Sequence, residues 1–257
     1  MRIATWNLNS IRARHDRLLA FLARQKPDVV CLQELKVVEE RFPRQALADA
    51  GYQSVVNAQK TYNGVAILSR EEATDVRLGL SDGVEDPQAR FASAVILGVR
   101  VASVYAPNGQ AVGSDKWFYK LAWMKRLRAW LERNCKPEEK LCLCGDFNVA
   151  PEPIDVHDPA AWEPTTLYHP EARAALAELT GWGLVDAFRA KHPGEPNLYS
   201  WWDYRMLGFP KNRGLRIDHL LATAPLARAC TEAFIDRDER KGKEPSDHAP
   251  VIAEFEV

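Results

Sequence analysis

The chain has 257 residues, 46% of them hydrophobic and 27% charged, with 34 basic and 35 acidic side chains and a formal charge of −1. That balance supports a substantial core and excludes a protein that coats nucleic acid by bulk charge, so any nucleic-acid contact must be a local patch. No apolar run reaches the roughly 18–20 residues of a membrane span, and Met1 leads straight into a strand-like segment with no signal-peptide core, so a cytoplasmic protein is expected.

Cysteine usage agrees with that compartment. Cys31, Cys135, Cys142, Cys144 and Cys230 are an odd set, mostly inside apolar runs, and read as reduced buried thiols. Cys142 and Cys144 would share one face of a strand, and without a second pair they make poor zinc ligands.

Arg2–Trp6 reads as a short strand ending at Asn7. Ser10 is placed to cap a helix in which Ile11, Leu18, Leu19 and Leu22 recur at helical spacing and which Pro27 ends. Asp28–Gln33 is a second buried strand, ending at Glu34 and Lys36. A short helix at Arg44–Ala50 precedes strands at Tyr52–Asn57, Gly64–Ser69, Phe91–Leu97 and Val99–Tyr105, the last two joined tightly at Leu97-Gly98. Pro107 and Gly109 stiffen the loop that follows, leaving Tyr105 and Asn108 available to reach a ligand. Ser114–Cys135 is the strongest helix, with Trp117, Leu121, Met124, Leu127 and Leu131 as its core stripe. Lys120, Lys125, Arg126, Arg128 and Arg133 are assigned to its solvated face.

Leu141–Asn148 (LCLCGDFN) reads as a short buried strand that runs into a turn at Gly145, and the turn carries Asp146 and Asn148. Pro170–Ala177 reads as a helix, and Leu184–Phe188 as a short element of open type. Lys191–Leu215 is a long loop rich in aromatics and cations, including Trp201, Trp202, Tyr204, Arg205, Lys211 and Arg213. That mixture suits a nucleic-acid surface, and it also suits a loop with its own small core. Strands follow at Arg216–Thr223 and Thr231–Asp236, a charged turn at Arg237–Glu244, and a last strand at Pro250–Val257 opened by Ser246-Asp247-His248. No linker interrupts the chain, and one domain over residues 1–257 is expected.

The strand ends collect Asn7, Glu34, Tyr105, Asn108, Asp146, Asn148, Asp218, Asp247 and His248: four carboxylates, one imidazole, three amides and a phenol. Hard oxygen ligands of this kind suit Mg²⁺, with Mn²⁺ as a substitute, better than zinc. Phosphate-ester hydrolysis needs charge neutralisation, an activated water and help for the leaving oxygen, and the set contains groups for each.

The runs ATWNLNSIRAR, CLQELK, TYNGVAILS, SVYAPNG, GDFNVAP, GLRIDHLLAT and PSDHAPV resemble, in order and spacing, the exonuclease III family of Mg²⁺-dependent DNA-repair nucleases over essentially the whole chain. The resemblance implies the endonuclease/exonuclease/phosphatase fold, an α/β four-layer sandwich of two packed mixed β-sheets flanked by helices. It implies Glu34 as principal metal ligand with Asn7 and Asp247 beside it, and Lys36 near these carboxylates. Asp146 would orient or deprotonate the attacking water, or instead bind a second metal, and Asn148 would hold that water or stabilise the pentavalent transition state. His248 would contact the phosphate, oriented by Asp218, while Tyr105 and Asn108 would touch the phosphate or assist the leaving group. Trp201, Leu215 and Ile217 would line a pocket for a base-less sugar or 3′ residue, and Arg205 would enter the duplex.

The implied activity is 3′-end trimming, incision 5′ to abasic sites, or both, on double-stranded DNA by a monomer. Thr165–Ala172 departs from the family pattern with Leu167, Tyr168 and His169, and that bulk would disfavour an internal abasic site and favour 3′ ends at nicks. Two rivals stand beside this reading. One is a phosphodiesterase of the same superfamily acting on RNA or a small phosphoester. The other is a catalytically silent DNA-binding homologue.

Overall fold

The computed structural model describes residues 1–257. The first sheet has six strands. They are β1 (Arg2–Asn7), β2 (Val29–Gln33), β3 (Gln53–Asn57), β4 (Val65–Ser69), β11 (Cys230–Ile235) and β12 (Val251–Phe255), in the order β11-β12-β1-β2-β4-β3. The second contains β5 (Thr74–Leu78), β6 (Phe91–Ile96), β7 (Val99–Tyr105), β8 (Leu141–Asp146), β9 (Leu184–Asp186) and β10 (Asp218–Thr223), in the order β5-β6-β7-β8-β10-β9.

Both sheets are mixed, and each is centred on one parallel pair, β1–β2 or β7–β8. A parallel pair needs a crossover. Helix α1 (His15–Gln25) supplies the first and α3 (Asp115–Asn134) the second; the remaining helices are α2 (Arg44–Asp49), α4 (Pro159–Trp162), α5 (Pro170–Thr180), α6 (Ala187–Lys191) and α7 (Ala224–Arg228).

Alternation along the strands builds the layers. Ile3, Cys31, Val101, Cys142, Cys144 and Leu220 point between the sheets. Ala4, Trp6, Val30 and Leu32 point outward against Leu18, Phe21 and Leu22 of α1. Val104, Leu141 and Leu143 point outward against Trp117, Met124, Leu127 and Leu131 of α3 and Leu176 of α5. The result is the expected four-layer sandwich. Cys142 and Cys144 are packing residues between its sheets, and all five cysteines are free and buried.

The topology also gathers the strand ends. β1 and β2 face β7 and β8 across the sandwich. β10 runs antiparallel to β8, with Asp218 opposite Asp146, and β12 runs antiparallel to β1. The C-terminal ends of the parallel strands therefore share one edge with the beginnings of β10 and β12.

Some sequence expectations need correction. Ser10 does not cap α1, because Asn9 and Ser10 take positive φ values of 48° and 94° and turn the chain first; the helix begins at His15, and Arg14 at its N-cap makes no side-chain cap bond. β5 was not anticipated. Leu184–Phe188 resolves into β9 running into α6, capped by Asp186. Leu121 lies only partly buried at the margin of the α3 stripe, whereas Lys120, assigned above to solvent, is fully buried. Arg126 also leaves the solvated face, bonding Asp82 at 2.6 Å and Asp86 at 2.8 Å. In the charged turn, Glu239 and Arg240 face inward at 7% and 6% exposure. Arg240 packs on the rings of Trp202, Tyr204 and Phe209.

Candidate active site

Asp146 closes β8 at the centre of the shared edge. Its position depends on Gly145, where φ is +152° and an added Cβ would stand 1.9 Å from the Val104 carbonyl oxygen. Only glycine lets β7 approach β8 this closely. Asn148 then turns the chain with φ +52°, and its amide N–H donates to Asp146 Oδ1 at 2.8 Å. Glu34 and Lys36 also have positive φ, 51° and 53°. Left-handed backbone at non-glycine residues costs of order 1 kcal/mol each and tends to gather where function holds it.

The Asn7 carboxamide nitrogen donates to both Glu34 Oε1 and Asp146 Oδ2, each at 2.9 Å. Lys36 Nζ meets Glu34 Oε2 at 2.7 Å and Asn9 Oδ1 at 2.6 Å. His248 Nδ1 pairs with Asp218 Oδ2 at 2.9 Å, and its Nε2 lies 3.8 Å from Asp146 Oδ2. Ser200 fixes the far side of Asp218, donating to Oδ2 at 2.6 Å while accepting the Ile217 and Asp218 amides. Asn108 Nδ2 donates to Asn148 Oδ1 at 3.2 Å, and Asn148 Nδ2 donates to the Ala106 carbonyl at 3.0 Å.

The charges interact strongly at this edge. Burial pushes the Asp146 carboxyl up to about 7, with Asp218 adding to the rise and His248 and Asn7 opposing it. Burial also works against the His248 imidazolium, but Asp218, Asp146 and Asp247 outweigh it and raise the group to about 10. Burial, then Glu34 and Asp146, hold the Tyr105 phenol well above its ordinary value. The imidazolium and the phenol are thus both proton donors at neutral pH.

Of the expected metal set, Glu34 and Asn7 stand together, while Asp247 is engaged by other partners. Ligand atoms of Glu34, Asp146 and His248 lie within 4.8 Å of one another. Asp247 instead accepts Trp201 Nε1 and Asn9 Nδ2, each at 3.0 Å. Burial would raise the Asp247 carboxyl, but His248 and these bonds keep it below its ordinary value. Asp247 thus ties the aromatic loop to the first sheet. Asn7 presents its nitrogen to the carboxylates, while its Oδ1 accepts the Asn9 amide at 2.9 Å.

Of the three side chains expected to line a sugar pocket, only Trp201 keeps exposed surface. Leu215 and Ile217 are 0% and 1% exposed. Trp201 is half-buried and meets Trp162 edge-on at 5.8 Å, a partner the sequence did not disclose. The long loop is fastened to the site by bridges from Trp201 to both Leu215 and His248. Its own small core is Tyr199 and Trp202 with Phe209 and Ala249. Arg205 is exposed on the loop, its side chain 86% accessible beside Asp203.

Leu167 and Tyr168 are buried, at 6% and 3% exposure. Leu167 packs with Leu215 and Ile217, and Tyr168 lies beneath the Arg173 guanidinium. His169 sets its ring against Trp117 at 5.0 Å. Bulk expected to select substrates goes into packing.

Lys120, Ser200, Trp162 and Asn9 were missed by the sequence reading. For Lys120 a signal existed: it occupies the i+3 place of the stripe that runs through Trp117, Met124, Leu127 and Leu131.

Two facing sheets with a buried carboxylate–imidazole edge define a hydrolase of the α/β-sandwich class. More particularly, the chain belongs to the endonuclease/exonuclease/phosphatase family, whose model matches residues 4–248. It is 35% identical to exodeoxyribonuclease III of Haemophilus influenzae over 99% of this chain and 100% of that protein. An AP endonuclease from Archaeoglobus fulgidus has a TM-score of 0.97 at 40% identity, covering 100% of both chains. A 3′-5′ exonuclease from Neisseria meningitidis has a TM-score of 0.95 at 41% identity, again covering 100% of both chains.

Proposed function

We propose that this protein is a divalent-cation-dependent DNA-repair phosphodiesterase that acts at 3′ ends and on the 5′ side of abasic sites in duplex DNA, leaving 3′-hydroxyls. The observation that carries this reading is the single edge on which Glu34, Asp146 and His248 converge within 4.8 Å. The aromatic loop bonded to that edge through Trp201 supports DNA over a small phosphoester. Relatives of nearly equal similarity carry both activities in their names, so both are retained here.

The donor set fits a hard divalent cation, with Mg²⁺ as the proposed ion. Glu34 and Asp146 both reach the same carboxamide nitrogen of Asn7. Turning that carboxamide over places its oxygen between two carboxylates, a donor group that suits Mg²⁺. Glu34 and Asn7 would hold the ion, with Lys36 adjusting the charge on Glu34. Bound there, it supplies positive charge against the phosphate oxygens, worth several kcal/mol in the transition state.

The chain's own groups do the rest. Asp146, held by Asn7 and the Asn148 amide and facing His248, takes a proton from the attacking water. Asn148 and Asn108 orient that water and the phosphate through their linked carboxamides. The His248 imidazolium, held by Asp218, donates from Nε2 to a phosphate oxygen. The bond to O3′ breaks, and the Tyr105 hydroxyl stands ready to donate as the leaving oxygen gains charge. Trp201, backed by Leu215 and Ile217, receives the sugar, and Arg205 reaches toward the duplex.

One substrate panel tests this reading. It compares duplex with an internal abasic analogue, a nick bearing a 3′-phosphate, a recessed 3′ end and single strands, each with Mg²⁺ and with EDTA. Cleavage confined to the duplex substrates and abolished by EDTA is expected. No cleavage of any DNA would overturn the proposal.

A further inference from the structure

Lys120 lies on α3, beneath the edge described above, and is 0% exposed. Its ammonium donates to three backbone carbonyls: Asn148 at 2.7 Å, Thr166 at 2.8 Å and Asn108 at 3.2 Å. A lysine ammonium has three N–H donors and no acceptor, so the three acceptors match its full capacity. They come from separate segments: the exit of β7, the exit of β8 and the turn before α5.

The neighbouring packing is built around the same side chain. At Gly109, φ is +93°, and an added Cβ would lie 3.1 Å from Lys120 Cδ and 3.3 Å from both Thr166 Cγ2 and Trp117 Cε3. The loop after β7 thus closes directly onto the lysine stem. Asn148 is left-handed at φ +52°, which turns its carbonyl to the ammonium while its carboxamide faces Asp146 and Asn108. Burying an ammonium costs several kcal/mol unless it is fully bonded, and an apolar residue would fill this place on the stripe more cheaply. What the ammonium adds is a joint between the loops that carry Asn108 and Asn148.

We infer that Lys120 is a positioning residue for phosphodiester hydrolysis: its ammonium fixes the main chain at Asn108 and Asn148, so that their carboxamides are held toward the reacting phosphate. The inference rests on the function proposed above. Lys120 has no exposed surface to offer a substrate and acts through the main chain at the two asparagines, with its charge also felt at Asp146.

The test is Lys120→Met, which keeps the stem and removes all three donors, compared with Leu131→Ala, a cavity in the same helix near its other end. Both are assayed on duplex DNA at a temperature where each is folded. Lys120→Met should lower kcat by about 10- to 100-fold, less than the roughly 10²–10³ found when a donor that touches the reacting atoms is removed, with KM within about threefold of wild type. Leu131→Ala should leave kcat within about threefold. Because the effect passes through Asn148, adding Lys120→Met to Asn148→Ala should cost far less than the product of the two single losses. Lys120→Gln, which keeps two donors, should fall between wild type and Met and serves if the Met variant does not fold.

An unchanged kcat in a folded variant, or full multiplicativity with Asn148→Ala, would overturn the inference. So would a loss no larger than that of Leu131→Ala. Failure of both Lys120 variants to fold while Leu131→Ala folds would assign the lysine to stability alone. Wild-type protein that cleaves no DNA would instead sink the functional reading itself.

Discussion

At the residue scale, Gly145 sets the spacing on which the site depends. In sequence it reads as a turn residue before Asp146, but it lies inside β8, where a Cβ would collide with the Val104 carbonyl oxygen. The positive φ and the collision act together. Gly145→Ala should destabilise the fold by more than about 3 kcal/mol, measured as a fall in the urea midpoint. An unchanged midpoint would show that β7 and β8 can part there without cost. Lys120 shows a different limit of sequence reading. Charge argued for solvent while helical spacing argued for the core, and spacing was right because three carbonyls receive the ammonium.

At the element scale, the strands were legible because buried β-strands concentrate branched apolar residues. β5 was not, since its TDVRL sequence lies at a sheet edge and is largely exposed. The strand-end polar groups could be named from sequence as well. Their pairing could not, because it depends on register: Asp218 opposite Asp146 is a property of two antiparallel strands far apart in the chain. The same is true of the buried network joining β9, β10 and the segment before α4. Arg216 bonds Asp155 at 2.7 Å and Asp186 at 2.6 Å, and Arg189 adds a second cation to Asp155.

Burial would raise both carboxyls of that network, but Arg216 outweighs it and holds them below the ordinary range, with Arg189 helping at Asp155 and His219 at Asp186. Carboxyls depressed in the folded state stabilise it above the unfolded value of about 3.9, and that contribution is lost as pH falls toward the folded values. The stability difference between wild type and Arg216→Met, in which the other titrating groups cancel, should therefore be constant from about pH 7 to 5 and shrink below about pH 4. Arg216→Met leaves two carboxylates without their main partner. It should cost about 3–5 kcal/mol at pH 7 and flatten the acid decline. A variant as stable as wild type at pH 7 would remove this network from the account.

At the scale of the whole molecule, two βαβ-centred sheets face each other so that their catalytic-type side chains converge on one edge. Buried strands hold the edge, the loop carrying Trp201 is tied to it by Asp247, and α3 supports it from below through Lys120. A formal charge of −1 means that bulk charge would not hold DNA, so the proposed contact must rest on a local surface such as this face.

The central claim is that water activation at Asp146 is separable from DNA contact. Single-turnover cleavage of a duplex with a recessed 3′ end, in Mg²⁺, is to be measured for wild type and Asp146→Ala alongside equilibrium binding of the same duplex. The account predicts a rate loss on the order of 10²–10⁴-fold with affinity kept within about threefold. Cleavage within about tenfold of wild type would contradict it.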